Sequence, residues 1–473
     1  MAADEQQQKA PPTADGPTGL KILKDLIRDR SLLTAMAGMH EALGSIFQIT
    51  LPRFKPVVVS GPDFNRQVLV SQRDKFSWRG ESDPVVKLLR RGVLVVDGEE
   101  HDRLRACMEP AMRRAPSLAH IPAMIAYTDQ VLAGWPDEGE VDMLVEMRKV
   151  ALLILLGTLY GTDFSPDLAE LWEPILKAIH IISPGPWIVW PDMPRFGSQK
   201  ELQKLDDYLY GLIDRRRTQG GPEDDLLGRL INEPGLSDDL IRDQLLTMLI
   251  AGHDTSTALL AWALYLLGAH PQTLARATAE ARAGIVAQEL GDDTQAEMPY
   301  LDQVIKETLR LFPPIHVGNR FAREDLDLLG YHVPQGTRLM VSNYLTHRDE
   351  AVWEEPDAFC PARFDRARRG SEEARRQPLS YTPFGGGPRN CIGATFAQVE
   401  SRVVLARILQ QFDLQLSPGQ KVRPYMGATL EPRPGVKMVV RAPAIRRAGK
   451  QPKVNSQQSA ETGKARMETD VRR

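Results

Sequence analysis

The sequence predicts a mainly α-helical fold with a small β region. Apolar residues recur at helical spacing over 118–135, 143–160, 168–180, 199–217, 237–269 and 299–312, and such recurrence marks the buried stripe of a helix. Runs with strand character are short, at 46–51, 56–60, 317–320, 326–328, 339–342 and 436–440, as suits minor sheets beside a helical body. Proline punctuates the joints: Pro271 stops the longest helical pattern and Pro313-Pro314 stops the next, because proline cannot continue the hydrogen-bond ladder. A length of 473 residues alone suggests two or three domains.

Acidic and basic residues nearly balance, with a formal net charge of -3, so the totals require neither nucleic acid nor a membrane surface as partner. Cys107, Cys360 and Cys391 are too few and too irregularly spaced for a disulfide framework or a CxxC zinc site, which points to a reducing cytoplasm. Residues 1–20 are polar and proline-rich, lack the basic-then-apolar order of a secretion signal, and read as disordered. The strongest apolar run, 150–160, falls short of the roughly 20 residues a transmembrane helix needs. It reads as a buried helix, and no membrane anchor is expected.

From the N-terminus, 31–43 reads as a helix, and 46–51 with 56–60 as a hairpin across Pro52-Arg53-Phe54-Lys55. Gly61-Pro62-Asp63 opens a helix to about residue 70, and 76–96 is irregular; so long a loop is commonly functional. Asp97-Gly98-Glu99-Glu100 begins a helix with acids in its first turn, which puts His101 and Arg105 on one face. Residues 181–190 are apolar but broken by Pro184 and Pro186, as suits a lid, an access channel or a contact patch. From Ala444 the chain is polar and aperiodic and reads as a tail.

Two stretches depart from these patterns. In Phe384-Gly385-Gly386-Gly387-Pro388-Arg389-Asn390-Cys391-Ile392-Gly393, a tight glycine loop delivers a sulfur to an apolar-periodic run ending near Phe412. Helix N-terminal N–H groups and Arg389 favour a thiolate there; on these residues alone Cys391 is a ligand, a nucleophile or an ordinary free cysteine. The second stretch, Ala251-Gly252-His253-Asp254-Thr255, lies in the middle of the longest helix. Glycine there costs about 1 kcal/mol against alanine, and Thr255 can bond back to the carbonyl of residue 251. Such a helix passes close to something, either another helix or a ligand. Glu307 and Arg310, three apart, are an ordinary pair by themselves.

In this order the stretches resemble the haem-thiolate monooxygenases of the cytochrome P-450 superfamily, soluble bacterial type, over roughly residues 45–440. The loop 384–393 fits Phe-x-x-Gly-x-Arg-x-Cys-x-Gly without a miss, supported by Ala251-Gly252-x-Asp254-Thr255, Glu307-x-x-Arg310 and Pro361-x-Arg363-Phe364. The resemblance implies one large triangular-prism-like domain over 21–443, in place of two or three domains, between a disordered 1–20 and a polar tail 444–473. It implies haem b, with Cys391 as the axial thiolate on iron and Phe384 and Gly393 in the loop beside it. Ala251 and Gly252 would leave room over the haem, and His101, Arg105, Arg320 and Arg389 would meet its propionates. Glu307, Arg310 and Arg363 would form a structural charge triad, which Ala362, standing where Glu is commonest, does not touch. Thr255 and Asp254 would deliver protons, with His253 facing away.

The implied reaction hydroxylates or epoxidises a lipophilic small molecule with O2 and two electrons. Those electrons come from NAD(P)H only indirectly, through a separate ferredoxin or flavodoxin and its reductase, docking where Arg103, Arg113, Arg114 and Arg402 would cluster. Substrate contacts are expected from 76–94, 175–196, 249–251, 315–319 and 426–430. The rivals are a peroxygenase or isomerase on the same fold, whose members commonly lack the acid and alcohol pair, and a non-catalytic haem sensor.

Overall fold

The computed structural model describes residues 9–29, 31–80, 83–184, 199–283, 298–365 and 377–443. Its helices run in chain order as α1 (Gly16–Asp29), α2 (Leu32–Leu43), α3 (Pro62–Arg66), α4 (Pro84–Leu89), α5 (Gly98–Met108), α6 (Arg114–Ala119), α7 (Ile121–Ala133) and α8 (Met143–Leu159). They continue with α9 (Leu168–Ile182), α10 (Gln199–Gln219), α11 (Leu226–Asn232), α12 (Asp238–Ala269), α13 (Pro271–Ala283), α14 (Pro299–Leu311), α15 (Asn343–Thr346) and α16 (Ala394–Gln411).

The body is organised on α12, whose 32 residues span about 48 Å at 1.5 Å per residue. Ser237 caps it by accepting from Leu240 N at 3.3 Å, and Asp142 caps α8 in the same way through Leu144 N at 3.0 Å. Each cap satisfies a donor that the first turn leaves unpaired. In α8 every residue from Val150 to Leu156 is buried, which explains the apolar run that is too short for a membrane. The two helices pack along one another, and α10, α14 and α16 also lean on α12. Among the described residues no helix is long and apolar enough to cross a membrane.

The β region is small. β1 (Ile46–Gln48), β2 (Val57–Val59), β3 (Phe76–Ser77), β5 (Val317–Ala322) and β8 (Arg338–Ser342) form one sheet in the order β1-β2-β8-β5-β3. Within it β2 and β8 are parallel, while Phe321 faces Arg338 on one side of β5 and Ser77 on the other. β4 (Glu138–Asp142), β12 (Lys437–Arg441) and β9 (Asp413–Leu416) form a second sheet, and β6 (Leu326–Leu328) with β7 (Tyr331–Val333) and β10 (Arg423–Met426) with β11 (Leu430–Arg433) form hairpins.

Three expectations change. The N-terminal stretch is structured from Lys9 onward: Lys9 N donates to Gly330 O at 3.0 Å, Gln48 N donates to Pro12 O at 2.8 Å, and α1 starts at Gly16. Ala14 and Ile22 pack on the cluster of Met36, Met39 and Phe47, contacts that a composition argument cannot register. Pro271 ends α12 yet opens α13, because the first helical position needs no N–H. α11, β4 and β7 form where no element was expected. Residues 1–8, the tail 444–473 and residues 185–198, which include most of the apolar loop 181–190, lie outside the described residues.

Candidate active site

The glycine loop closes on itself where Cys391 N donates to Phe384 O at 2.8 Å. Gly387 is required there on two counts: its φ is +67°, and a Cβ would lie 2.2 Å from Leu69 O. Gly393 caps α16, and its position would admit a Cβ at ordinary distance from Met112. Cys391 is exposed, yet protein packed around its other sides pushes the thiol above its ordinary range. The expectation of an acidified thiol therefore needs correction. The Gly393 backbone bond and the Arg105 charge do favour the thiolate, but desolvation outweighs them.

Across the core, α12 is buried for most of its length but only half-buried at Ala251, Gly252 and Thr255. These positions, at i, i+1 and i+4, fall on one side of the helix. Thr255 Oγ1 donates to Ala251 O at 2.8 Å, as its position in the sequence suggested, while the helix assignment runs unbroken. Gly252 has a packing reason as well, since a Cβ would lie 2.5 Å from Leu155 Cδ1 on α8. His253 faces away: it is fully buried, its Nδ1 meets Leu249 O, and burial pushes the imidazole down to about 3.

Asp254 is buried in a network that the sequence reading missed. Arg148 Nη2 donates to Asp254 Oδ1 at 2.9 Å and to Glu431 Oε2 at 3.3 Å, and Thr429 Oγ1 donates to Asp254 Oδ2 at 2.8 Å. Arg148 had a signal, being a charge within the apolar pattern of α8. Thr429 and Glu431 had none, because only the fold brings that hairpin to α12. One residue beyond Thr255, Ser256 meets the buried Glu400 of α16, whose charge within an apolar-periodic run was the comparable signal.

His101 is buried, with Nδ1 at 2.8 Å from Asp102 Oδ1, and burial lowers its pKa. Arg105 holds the cysteine loop, donating to Asn390 O at 2.7 Å and to Asn390 Oδ1 at 2.8 Å. Arg389 pairs with Asp97 at 2.6 Å. The Arg320 guanidinium stacks 3.4 Å above the Trp78 ring, and burial first, then the charges of Arg79 and Arg389, push it down to about 9. Trp78 Nε1 is buried and meets no acceptor among the described residues.

The charge triad assembles as expected. Glu307 receives two 2.8 Å bonds from Arg310, one from Arg363 Nε at 3.3 Å and one from Cys360 N at 2.9 Å. Arg310 spends its remaining donors on the carbonyls of His347, Pro356 and Ala358. Arg402 requires correction as a docking residue: its side chain is 3 % exposed and bonds Asp302 Oδ1 at 3.0 Å. Arg103, Arg113 and Arg114 are exposed.

Several expected substrate segments converge. α4 packs on α9 and α12, Ala428 N donates to Ser183 Oγ at 3.1 Å, and Leu430 N donates to Pro314 O at 2.9 Å. An open thiol, a small-residue stretch of α12 and a donor-rich cluster around Trp78, Arg320 and Arg389 fit a flat iron-bearing group with carboxylate arms, which is what haem offers.

Comparison with known proteins agrees. The family model described as cytochrome P-450 matches residues 16–439. A Mycobacterium tuberculosis protein named cytochrome P-450 139 is 31% identical over 402 residues, covering 81% of this chain and 92% of that one. Pentalenene oxygenase of Streptomyces avermitilis is 29% identical over 400 residues, covering 82% and 88%. The solved structure of retinoic acid-bound cyanobacterial CYP120A1 superimposes with a TM-score of 0.79 at 26% identity, over 92% of this chain and 100% of that one. The chain therefore belongs to the cytochrome P-450 family and is an oxidoreductase of the haem-thiolate monooxygenase class.

Proposed function

We propose that the protein holds haem b through Cys391 and hydroxylates or epoxidises a lipophilic small molecule, using O2 and two electrons from a separate ferredoxin or flavodoxin and its reductase. The observation that carries this reading is the open thiol of Cys391 in a chain whose central helix, buried on both sides of the stretch, is half-buried in its middle at Ala251, Gly252 and Thr255. Bound haem supplies the oxygen chemistry, including attack on unactivated C–H bonds. The chain supplies the rest. His101, Arg105, Arg320 and Arg389 hold the propionates, and Phe384 packs beside the sulfur. Thr255 Oγ1 holds a water on the α12 face, and Asp254, tethered by Arg148 and Thr429, passes protons toward it. The apolar segments around 84–94, 175–184 and 426–430 position substrate and exclude water. Pentalenene and retinoic acid, named for two relatives, are largely hydrocarbon, which supports a lipophilic substrate.

The test is the Soret band of the reduced protein under carbon monoxide. A band at the thiolate position is expected, and one like that of a histidine-ligated haem rejects Cys391 as ligand. Screening lipophilic compounds for a Soret shift then identifies the substrate class.

A further inference from the structure

Four guanidinium groups gather where β3 leaves the sheet. Arg79 follows Trp78 directly after β3, and Ser77 lies opposite Phe321, which in turn pairs with Arg338. The strand contact therefore brings Arg79 beside Arg320 and Arg338, and Gly80 passes so close to Phe321 that a Cβ would lie 3.0 Å from its ring. Burial lowers the pKa of both Arg320 and Arg338, and the Arg79 charge lowers both further; Arg389 adds to the effect on Arg320, while Asp83 works against it at Arg338. Like charges brought together out of water require a compensating anion.

Among the described residues the acids here are already engaged, Asp83 in part by Arg79 itself. Asp97 pairs with Arg389 at 2.6 Å and with Arg323 at 3.1 Å, and also accepts from Trp78 N at 3.2 Å. Asp83 accepts from Val85 N at 3.0 Å through one oxygen, leaving the other 3.5 Å from Arg79 Nη1, too long for a good hydrogen bond. Arg79 Nε and Trp78 Nε1 are buried and meet no acceptor among the described residues. Among the described residues this corner holds donors in excess of acceptors, and the complementary group is planar, anionic and bidentate.

We propose that Arg79 is a carboxylate-binding residue at the edge of the haem site, its guanidinium edge taking either a haem propionate or the acid group of a lipophilic substrate. The proposal rests on the haem-thiolate reading above, in which Arg320 and Arg389 face propionates and Arg79 has no role. A carboxylate from either source makes the same contact, so the experiment separates the sources.

The holoproteins to compare are wild type, Arg79→Gln and Arg79→Lys, each first shown to give the thiolate carbon monoxide band. If that band is absent in wild type, the haem-thiolate reading fails and Arg79 is not the cause. One arm measures haem transfer to apomyoglobin, with protohaem and with haem dimethyl ester. The other titrates the Soret shift with dodecanoate and with methyl dodecanoate. If the carboxylate is a propionate, Arg79→Gln releases protohaem about tenfold faster or more, Arg79→Lys falls between, and the dimethyl ester removes the difference. If it belongs to substrate, wild type prefers the acid over the ester by a similar factor, and Arg79→Gln abolishes that preference while haem release is unchanged. Should Arg79→Gln fail to load haem, Arg79→Lys and the ester comparisons in wild type carry the test. Equal haem release and no acid preference in wild type or variants would overturn the proposal, leaving Arg79 neutralised by neighbouring acids alone.

Discussion

Ser256 Oγ donates a 2.6 Å hydrogen bond to Glu400 Oε2, joining α12 to α16 between two buried residues. Burial pushes the Glu400 carboxyl from 4.5 up to about 8, the bond from Ser256 offsetting only part of that. The folded protein thus holds a proton that the unfolded chain releases between about pH 4.5 and 8. With more protons bound when folded, stability falls as pH rises through that window, by at most about 1.4 kcal/mol per pH unit. Urea unfolding of the holoprotein at several pH values should show this decline, and Glu400→Gln should flatten it. Parallel curves for the two proteins would contradict the assignment.

The triad predicts a different kind of loss. Glu307 sits fully buried with Arg310 and Arg363 on one carboxylate, and removing one partner leaves charge uncompensated at about 3–5 kcal/mol. Arg363→Ala should therefore lower the unfolding midpoint and the haem content together. The link to haem is the chain path: Arg363 Nη2 also holds Glu355 O at 2.8 Å, and Arg310 fixes the carbonyls of Pro356 and Ala358, all in the segment leading to the cysteine loop. A variant of wild-type stability would remove the structural role.

What could be read from the sequence separates by range. α8, α12 and α14 were visible because a buried stripe repeats locally, and the loop 384–393 because its glycines and cysteine lie within ten positions. Arg148 and Thr429 reach Asp254 from more than a hundred residues away in the chain, and Glu431 reaches Arg148 from farther still; no local pattern carries that. Arg402 was misread for a related reason: arginine is usually exposed, but here α14 brings Asp302 to it. The α1 segment was misread because its polar and proline-rich start hid the contacts of Ala14 and Ile22.

For electron delivery, the exposed arginines that remain are Arg103, Arg113 and Arg114. Replacing Arg113 and Arg114 with Gln should slow reduction by a ferredoxin and weaken its dependence on ionic strength, since steering by surface charge is screened within about 10 Å at 0.1 M salt. Arg402→Gln is the contrasting case. It should destabilise the fold by removing one of the two cations on Asp302, Lys306 remaining at 2.8 Å, with no specific effect on the salt dependence. Stopped-flow reduction at two salt concentrations distinguishes them, and unchanged rates in the double variant would exclude this docking face.

Asp254 and Thr255 allow the sharpest test of oxygen chemistry because they can be separated. Thr255→Ala removes the hydroxyl on the open face of α12, and electrons should then be diverted to hydrogen peroxide while the carbon monoxide spectrum stays intact. Thr255→Ser, which restores the hydroxyl, should recover coupling. Asp254→Asn should behave differently. Arg148 keeps Glu431 at 3.3 Å, so its charge is still met, and the amide oxygen can still accept from Arg148 or Thr429, so the fold should survive. What is lost is a carboxylate able to take up and release a proton, which lowers turnover by about 100-fold or more where such transfer is rate-limiting. The solvent deuterium isotope effect should rise with it. Full turnover in Asp254→Asn would exclude it as a relay and assign the Arg148 network to structure alone, whereas full coupling in Thr255→Ala would favour chemistry that needs no proton delivery on this face.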